Sequence, residues 1–461
     1  MVSCCLVRRY GVPRLSRVRT VLLIGGIALN LSLLGFFKYA NFFASGLSRA
    51  PGIEFELAPV LLPIAISFFT FQQITFLVDS YKGRIARYDF LKYCLFVTFF
   101  PQLIAGPIVQ HSEVVSQYES SRFGFLRSGN LAIGITIFAI GLFKKVAIAD
   151  GIGEFADPVF DAAAAGQDPH LFAAWGAALS YTFQIYFDFS GYSDMAIGLG
   201  RMFGVRLPLN FYSPYKATSI IDFWRLWHIT LSRFLRDYVY KPLGGNRKGN
   251  YRRYANLMVT MLLGGLWHGA GWTFVIWGGL HGLFLVVNHA WRAIAQELGL
   301  PAWTRHGASV HVSRLLTFLA VVVAFVFFRA DSFNAAMTIL TGMVSGPVVM
   351  HETHLAVLGP VGDALRNAGV RESTASAAYV GLVQAGALAI LLWVVWYLPN
   401  TQQLMRKYRP ALTAPPADTA ATSGSRFRWR PTLPWVAVTA IVGVVATLSI
   451  TKPDAFIYFQ F

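Results

Sequence analysis

The sequence predicts an all-α membrane protein that crosses the bilayer many times. Of its 461 residues, 55% are hydrophobic and only 13% are charged, whereas a soluble protein has about 25% charged residues. The aromatic residues include 38 phenylalanines and 12 tryptophans, which is more bulk than a water-facing surface accommodates. Many windows are about as long and apolar as a spanning helix, so we expect roughly nine to eleven membrane segments, transmembrane or re-entrant.

The first 100 residues indicate how the chain enters the membrane. Residues 1–20 form a basic segment, which we expect to lie in the cytoplasm ahead of a first retained span at residues 21–44. A cleaved signal peptide is not expected, because the apolar run carries polar residues and no small-residue cleavage site follows it. Residues 59–78 cross back, and the cations that follow mark a cytoplasmic loop.

The later segments include short and interrupted ones. The further candidate spans are residues 90–109, 130–149, 171–200, 255–268, 272–291, 314–329, 377–398 and 434–450. The span at 90–109 contains FFPQLIAGP, whose prolines would kink or end a helix. A break at membrane depth is tolerated only where the backbone is buried in protein or lines a cavity. We expect residues 21–461 to form one membrane domain, with extramembrane loops at about 351–376 and 411–430.

Charge and cysteine content exclude two classes of partner. The net charge is +17, but the basic residues lie in short loops between apolar segments, as the positive-inside rule expects. The sequence therefore predicts contact with membrane lipids and no nucleic-acid binding. Its three cysteines show no metal-ligand spacing, and an odd number gives no disulfide framework. We expect no bound metal.

Residues 222–240, DFWRLWHITLSRFLRDYVY, show an amphipathic helical pattern with a wide apolar face. One interpretation is an interfacial helix, with tryptophans in the headgroups and arginines near lipid phosphates. The other is a cytoplasmic mouth that gathers a phosphorylated carrier such as coenzyme A, because arginine binds phosphate bidentately. The two are compatible. The cations concerned are Arg225, Arg233 and Arg236 on the helix, and Arg247 and Lys248 in the following loop.

Three other polar residues are best explained as structural. Asp188 and Asp194 lie in an aromatic, apolar stretch, where an ionised carboxylate needs a partner. Arg201, Arg206 or an arginine of the amphipathic segment would serve. His228 lies at the border of the two faces of that segment, and we expect a hydrogen-bonded interfacial histidine.

Two histidines interrupt the apolar run GGLWHGAGWTFVIWGGLHG at residues 264–282. Either His268 and His281 are packed for structural reasons or they do chemistry, since imidazole is the usual general base and is cheap to bury when neutral. Thirteen residues separate them, about 220° on a continuous helix. They converge only if residues 269–271 break the helix. The glycines at 264, 265, 269 and 271 would leave room around His268 for a substrate or an approaching helix.

Several runs resemble the membrane-bound O-acyltransferase family, most closely its alginate O-acetylase branch. They are residues 264–282, NFYSPYKATSIIDFWRLWHITLSRFLRDYVYKPLGGNRKG, FFPQLIAGP, LNLSLLGFFKYANFF, PNTQQ and the terminal FIYFQF. The resemblance covers nearly the whole chain from about residue 28. Other relatives in this branch modify cellulose, peptidoglycan and teichoic acid. Members usually have one or two further apolar helices ahead of the arginine-rich segment with which this sequence begins.

The resemblance implies tilted helices around a central tunnel in the cytoplasmic (inner) membrane. It places the essential histidine of the family at His268 and a second motif histidine at His281. It also implies acetyl-CoA as the cytoplasmic donor. The acceptor would be a hydroxyl of an alginate-like extracytoplasmic polysaccharide or of a relay protein, and an extracytoplasmic partner protein would complete the modification.

The local features by themselves also allow two other functions. A transporter or flippase of a lipid-linked sugar would use the same histidines as a proton relay, and its substrate flux would not depend on acetyl-CoA. An inactive structural subunit is the third alternative.

Overall fold

The computed structural model describes residues 15–48, 60–63, 65–85, 89–103, 106–120, 123–299, 307–373, 381–413 and 428–450. Within these ranges the chain is almost entirely helical. The start of the basic N-terminal segment, residues 414–427 of the second expected loop and the terminal FIYFQF lie outside the described residues.

The helices follow one another closely along the chain. In order they are α1 (Leu15–Leu47), α2 (Ile66–Tyr81), α3 (Phe90–Thr98), α4 (Phe100–Leu103), α5 (His111–Tyr118), α6 (Ser128–Phe143), α7 (Asp150–Gly153), α8 (Asp157–Ala164), α9 (Leu171–Met202), α10 (Ile220–Leu226), α11 (Ile229–Leu235), α12 (Gly249–His268), α13 (Trp272–Glu297), α14 (Ala308–Arg329), α15 (Phe333–Ser345), α16 (Glu352–Val357), α17 (Pro360–Asn367), α18 (Leu382–Tyr397), α19 (Thr401–Leu404) and α20 (Leu433–Leu448). Two π-helical segments, Lys144–Ala149 and Arg236–Tyr240, continue α6 and α11.

Four helices of the described chain are long and apolar enough to cross a membrane. They are Arg17–Ala44, Ser128–Gly153, Trp272–Glu297 and Ala308–Arg329, and three shorter apolar helices are Phe333–Ser345, Val383–Tyr397 and Leu433–Leu448. The all-α membrane class is therefore consistent with the structure. The number of nine to eleven membrane segments and the tunnel stay predictions.

The long helix α9 forms the centre of the core and packs lengthwise against α6. Two pairs of glycines allow this close approach. A Cβ on Gly134 would lie 2.6 Å from the carbonyl oxygen of Gly198, and one on Gly141 would lie 2.6 Å from that of Gly191. Small residues at such contacts are typical of helices that pack within membranes.

The buried carboxylates of α9 are paired with lysines. Lys145 Nζ lies 2.9 Å from Asp188 Oδ1 and 2.6 Å from Asp150 Oδ1, and Lys144 Nζ lies 2.6 Å from Asp194 Oδ2. The prediction that both aspartates have cationic partners is confirmed, but the predicted arginine partners are wrong. Because α6 runs along α9, its π-helical continuation brings two successive lysines against these carboxylates.

The break predicted at FFPQLIAGP is present, with Phe99, Pro101 and Gln102 buried beside it. Helix α3 ends at Thr98, Phe99 is extended with ψ of 96°, and α4 begins at Phe100. The side-chain amide of Gln102 donates to the carbonyl of Phe96 at 2.8 Å, and both residues are buried. This contact satisfies a carbonyl that the break leaves without its helical partner.

The polar stretch at 351–376 is not an irregular loop in its described part. Strands β1 (Val349–His351) and β2 (Arg371–Ser373) pair in parallel, with Val349 opposite Arg371. Helices α16 and α17 form the crossover between them. A parallel pair requires a crossover connection of this kind.

Candidate active site

The helix that carries the two histidines is broken between them, as predicted. Helix α12 ends at His268 and α13 begins at Trp272. Between the helices, Gly269 and Gly271 are both extended, with φ of −161° and −156°. The chain therefore turns at this break, and α12 and α13 pack against each other.

The glycines around the break serve the packing of this hairpin. A Cβ on Gly278 would lie 2.3 Å from the carbonyl oxygen of Met261 and 3.1 Å from the Cα of Gly265. One on Gly269 would lie 2.1 Å from the ring of Phe274, and one on Gly282 would lie 2.9 Å from Met258 Sδ. The expectation that glycines make room for an approaching helix is therefore confirmed, and neighbouring side chains occupy the space beside Gly269 and Gly282 that a substrate would need.

The break brings His268 and His281 into one aromatic cluster. Both rings contact Trp277 edge to face, with centroid distances of 5.0 Å for His268 and 4.8 Å for His281. The exposed fractions of the two histidines are 4% and 0%. Phe328 of α14 also packs on the ring of His268, at 5.2 Å. The two imidazoles therefore both pack against one indole, inside the protein.

A tryptophan of α10 determines which nitrogen of His281 carries the proton. The indole Nε1 of Trp224 lies 3.3 Å from His281 Nδ1. Indole N–H only donates, so Nδ1 accepts, and the proton of the neutral ring is on Nε2. Nε2 itself has no hydrogen-bond partner among the described residues. His281 thus presents an N–H donor to the interior of the cluster.

A third histidine, His228, lies in the same cluster. Its Nδ1 is 3.1 Å from Asn210 Oδ1, and the main-chain N–H of Thr230 also donates to that oxygen at 3.4 Å. The backbone donor fixes the orientation of the amide, so His228 carries a proton on Nδ1. His228 is fully buried, and the ring of Trp267 lies between it and His268, with centroids 6.3 and 4.8 Å away. The predicted hydrogen bond is confirmed, but the predicted interfacial location is wrong.

The segment expected to be one amphipathic helix is instead two short helices. Helix α10 ends at Leu226, and α11 begins at Ile229 after His228 adopts a left-handed conformation with φ of 41°. The peptide groups at this break bond to the extended segment at 210–212. Trp224 and Trp227 are 8% and 3% exposed within the protein core. Trp224 contacts His281 and Trp227 stacks on Phe223, so neither tryptophan lies in lipid headgroups.

The predicted phosphate-binding cations either have separate ion-pair partners or lie exposed in a loop. Arg233 makes a two-pronged ion pair with Glu113, one arm of which is 3.0 Å long. Arg236 pairs with Asp237 at 3.0 Å, and Arg225 pairs with Asp222 at 3.3 Å. Arg247 and Lys248 are exposed in the loop before α12. Of the three helical arginines, Arg225 and Arg236 have largely exposed side chains and Arg233 does not.

Two residues of the first helix, which the sequence analysis did not assign to the site, hold the end of α12. Lys38 Nζ donates to the carbonyls of Trp267 and His268, at 2.6 and 3.0 Å. The hydroxyl of Tyr39 donates to the carbonyl of Leu266 at 2.6 Å. The last carbonyls of a helix lack partners within it. A lysine inside an apolar span was the available signal, because such a residue requires a polar partner.

The described residues contain no group of three or more histidine, cysteine or acidic side chains placed to hold a metal ion. The described cluster offers three imidazole groups. His268 is buried at a helix break, His281 presents an N–H, and the tautomer of His228 is fixed by an amide.

The chain is similar to known proteins over most of its length. The family model for the membrane-bound O-acyltransferase family matches residues 27–328, a range that contains all three clustered histidines. A peptidoglycan O-acetyltransferase of Helicobacter pylori is 47% identical over 352 residues, which are 70% of this chain and 64% of the relative. A probable alginate O-acetylase of Pseudomonas putida is 39% identical over 446 residues, 95% of this chain and 84% of the relative.

A more distant relative carries a different name. A teichoic acid D-alanyltransferase of Streptococcus thermophilus is 25% identical over 284 residues, 58% of this chain and 68% of that protein. The chain spans less than two thirds of the length of the Helicobacter pylori relative. The family match itself extends over more than half of the chain and includes the histidine cluster. The chain therefore belongs to the membrane-bound O-acyltransferase family.

Proposed function

We propose that this protein transfers an acetyl group from cytoplasmic acetyl-CoA to a hydroxyl of an extracytoplasmic, alginate-like polysaccharide or of a relay protein. The observation that carries the proposal is the convergence of His268 and His281 on Trp277 at a buried helix break. The relatives support the reaction class, since they include a peptidoglycan O-acetyltransferase and a probable alginate O-acetylase.

His268 acts as the general base in this proposal. Its neutral ring accepts the proton of the acceptor hydroxyl while the hydroxyl oxygen attacks the thioester carbonyl. The new C–O bond forms, the C–S bond breaks, and the leaving thiolate takes the proton from His268. A positioned base of this kind contributes roughly 10²–10⁴-fold to the rate. Burial of the ring to 4% exposure keeps bulk water away from the reacting thioester.

His281 orients the acceptor or shares its proton. The hydrogen bond from Trp224 to Nδ1 leaves Nε2–H directed away from Trp224. That N–H is suited to donate to an oxygen of the substrate, and it is not suited to remove a proton. The two histidines thus have complementary roles, one as acceptor and one as donor of hydrogen bonds.

The acyl group reaches the histidines through a tunnel that is open to both sides of the cytoplasmic membrane. Coenzyme A stays on the cytoplasmic side, held through its phosphates by cations near the mouth. The acceptor enters from the outside, where a partner protein completes the modification. The break at α3–α4 supports this arrangement, because an interrupted helix at membrane depth is tolerated where its backbone is buried in protein or lines a cavity.

Labelled acetyl-CoA supplied to inverted membrane vesicles tests the proposal. Wild-type vesicles should acetylate a luminal acceptor, and His268→Ala should abolish this transfer while the protein still inserts into the membrane. His311→Ala is the matched control, because His311 is exposed on α14. Transfer at the wild-type rate by His268→Ala would contradict the assigned base. Flux of a lipid-linked sugar without any need for acetyl-CoA would favour the transporter alternative.

A further inference from the structure

Three arginines from three helices surround His289 of α13. Arg253 Nη2 of α12 lies 2.7 Å from His289 Nδ1, so the guanidinium donates to the ring. Arg292, one turn further along α13, donates to Ser219 Oγ at 3.1 Å and lies 3.8 Å from a carboxylate oxygen of Asp222. Arg225 of α10 lies 3.3 Å from the other oxygen of Asp222. The guanidinium charges of all three arginines act on the His289 ring.

This arginine cluster (Arg225, Arg253 and Arg292) carries more positive charge than its surroundings neutralise. Asp222 is shared by Arg225 and Arg292. Among the described residues, no carboxylate is paired with Arg253. Three guanidinium groups therefore face one carboxylate, which leaves an excess of two positive charges. The side chains of Arg225 and Arg292 are 61% and 48% exposed, so an anion from solution can reach them.

The arginine cluster is connected to the histidine cluster through shared elements. His289 follows His281 by eight residues on α13, which is about 12 Å along the helix axis. Arg225 directly follows Trp224, whose indole donates to His281. A ligand whose anionic groups bind the arginines therefore lies within reach of the histidines if it has an extended arm.

We propose that the arginine cluster binds the phosphate groups of the coenzyme A donor. The proposal rests on the proposed acetyl-CoA-dependent function and identifies where the donor is held. Of the cations expected from the sequence it keeps Arg225 and replaces Arg233 and Arg236, which are paired with Glu113 and Asp237, by Arg253 and Arg292. Arginine is the residue that best matches phosphate oxygens bidentately. The same chemistry would also recognise a phosphate of an anionic lipid, so the test separates the two sources.

Coenzyme A binding to the purified full chain in nanodiscs of neutral phosphatidylcholine tests the site. Arg253→Gln and Arg292→Gln should each weaken binding by about tenfold, because a charge-assisted hydrogen bond is lost. Arg252→Gln is the matched control, since the neighbouring Arg252 is exposed and belongs to the same turn. Pantetheine, which lacks the phosphates, should bind wild type and variants equally. Arg253→Lys keeps the positive charge and should retain part of the affinity for coenzyme A, which would show that substitution at this position leaves the fold intact.

The outcomes distinguish this proposal from the proposed function. If wild type transfers acetyl groups but Arg253→Gln and Arg292→Gln bind coenzyme A as wild type does, the arginine cluster is not the donor site. A second outcome is that the variants bind coenzyme A as wild type does in phosphatidylcholine nanodiscs and differ from wild type only when the nanodiscs contain phosphatidylglycerol. The site then binds lipid headgroups, and the proposal is overturned. If wild type neither binds coenzyme A nor transfers acetyl, the proposed function itself is wrong.

Discussion

The ammonium group of Lys38 lies 3.0 Å from the main-chain carbonyl oxygen of His268, and therefore joins the first helix to the candidate base. Only 6% of the most apolar window of this helix is buried. Two of its polar side chains, Lys38 and Tyr39, nevertheless donate to carbonyls in the last turn of α12. The first span is thus part of the candidate active site, because it satisfies carbonyls that the helix break leaves without partners.

Replacing Lys38 by methionine should remove this support. We expect the free energy of unfolding to fall by about 2 kcal/mol, since hydrogen bonds from a charged donor are lost. Acetyl transfer should fall with it, because the carbonyl of His268 is no longer held. Thermal unfolding in detergent and the vesicle assay measure the two effects. Lys38→Arg keeps the charge and the donors and should lose less stability and less activity. A Lys38→Met protein with wild-type stability and activity would contradict this role.

Replacing Trp224 by phenylalanine should release the tautomer of His281. The aromatic ring is retained, but the donor to Nδ1 is lost. We expect ¹⁵N NMR of labelled histidine to show an Nε2–H ring in wild type and a mixture of tautomers in the variant. Acetyl transfer should fall roughly five- to tenfold, in line with a hydrogen bond worth about 1 kcal/mol.

Trp227→Phe is the control for this experiment. Trp227 is equally buried in the core, and it stacks on Phe223 at 5.5 Å. Trp227→Phe replaces an indole by a phenyl ring, as Trp224→Phe does, but it leaves the hydrogen bond from Trp224 to His281 in place. If both variants lose activity equally while the histidine spectra stay unchanged, Trp224 fills space and does not set the tautomer.

Much of the architecture could be predicted because hydropathy and glycine placement are local signals. Helix α9 begins at the predicted residue and ends two residues late, and the break at 269–271 falls where expected. The left-handed conformation of His228 could not be predicted, since a histidine at that φ leaves no composition signal. The contact between Lys38 and His268 joins residues 230 positions apart, and no local pattern encodes it. The sequence could not decide between a substrate and an approaching helix beside the glycines, because only the packed hairpin shows what faces them.

The glycines of the hairpin give a test that distinguishes packing from open space. Gly278→Ala should destabilise the protein by about 1–3 kcal/mol, the usual effect of overpacking, because the new methyl group meets the main chain of Met261. Gly279→Ala is the adjacent control, since its Cβ makes an ordinary contact of 3.5 Å with Leu262. Thermal unfolding of both variants checks the difference. If the Gly278→Ala and Gly279→Ala proteins were equally stable, α12 and α13 would not be in close contact at Gly278.

The buried pair of Lys145 and Asp188 should matter for stability and not for chemistry. Lys145 Nζ lies 2.9 Å from Asp188 Oδ1, and the Asp188 side chain is 1% exposed. Asp188→Asn should lower the free energy of unfolding by about 3–5 kcal/mol, because it leaves a buried charge with less compensation. Asp363→Asn, which breaks an exposed pair with Arg366, should change little. If the Asp188→Asn protein unfolds at the wild-type temperature but is inactive, Asp188 acts directly in the reaction.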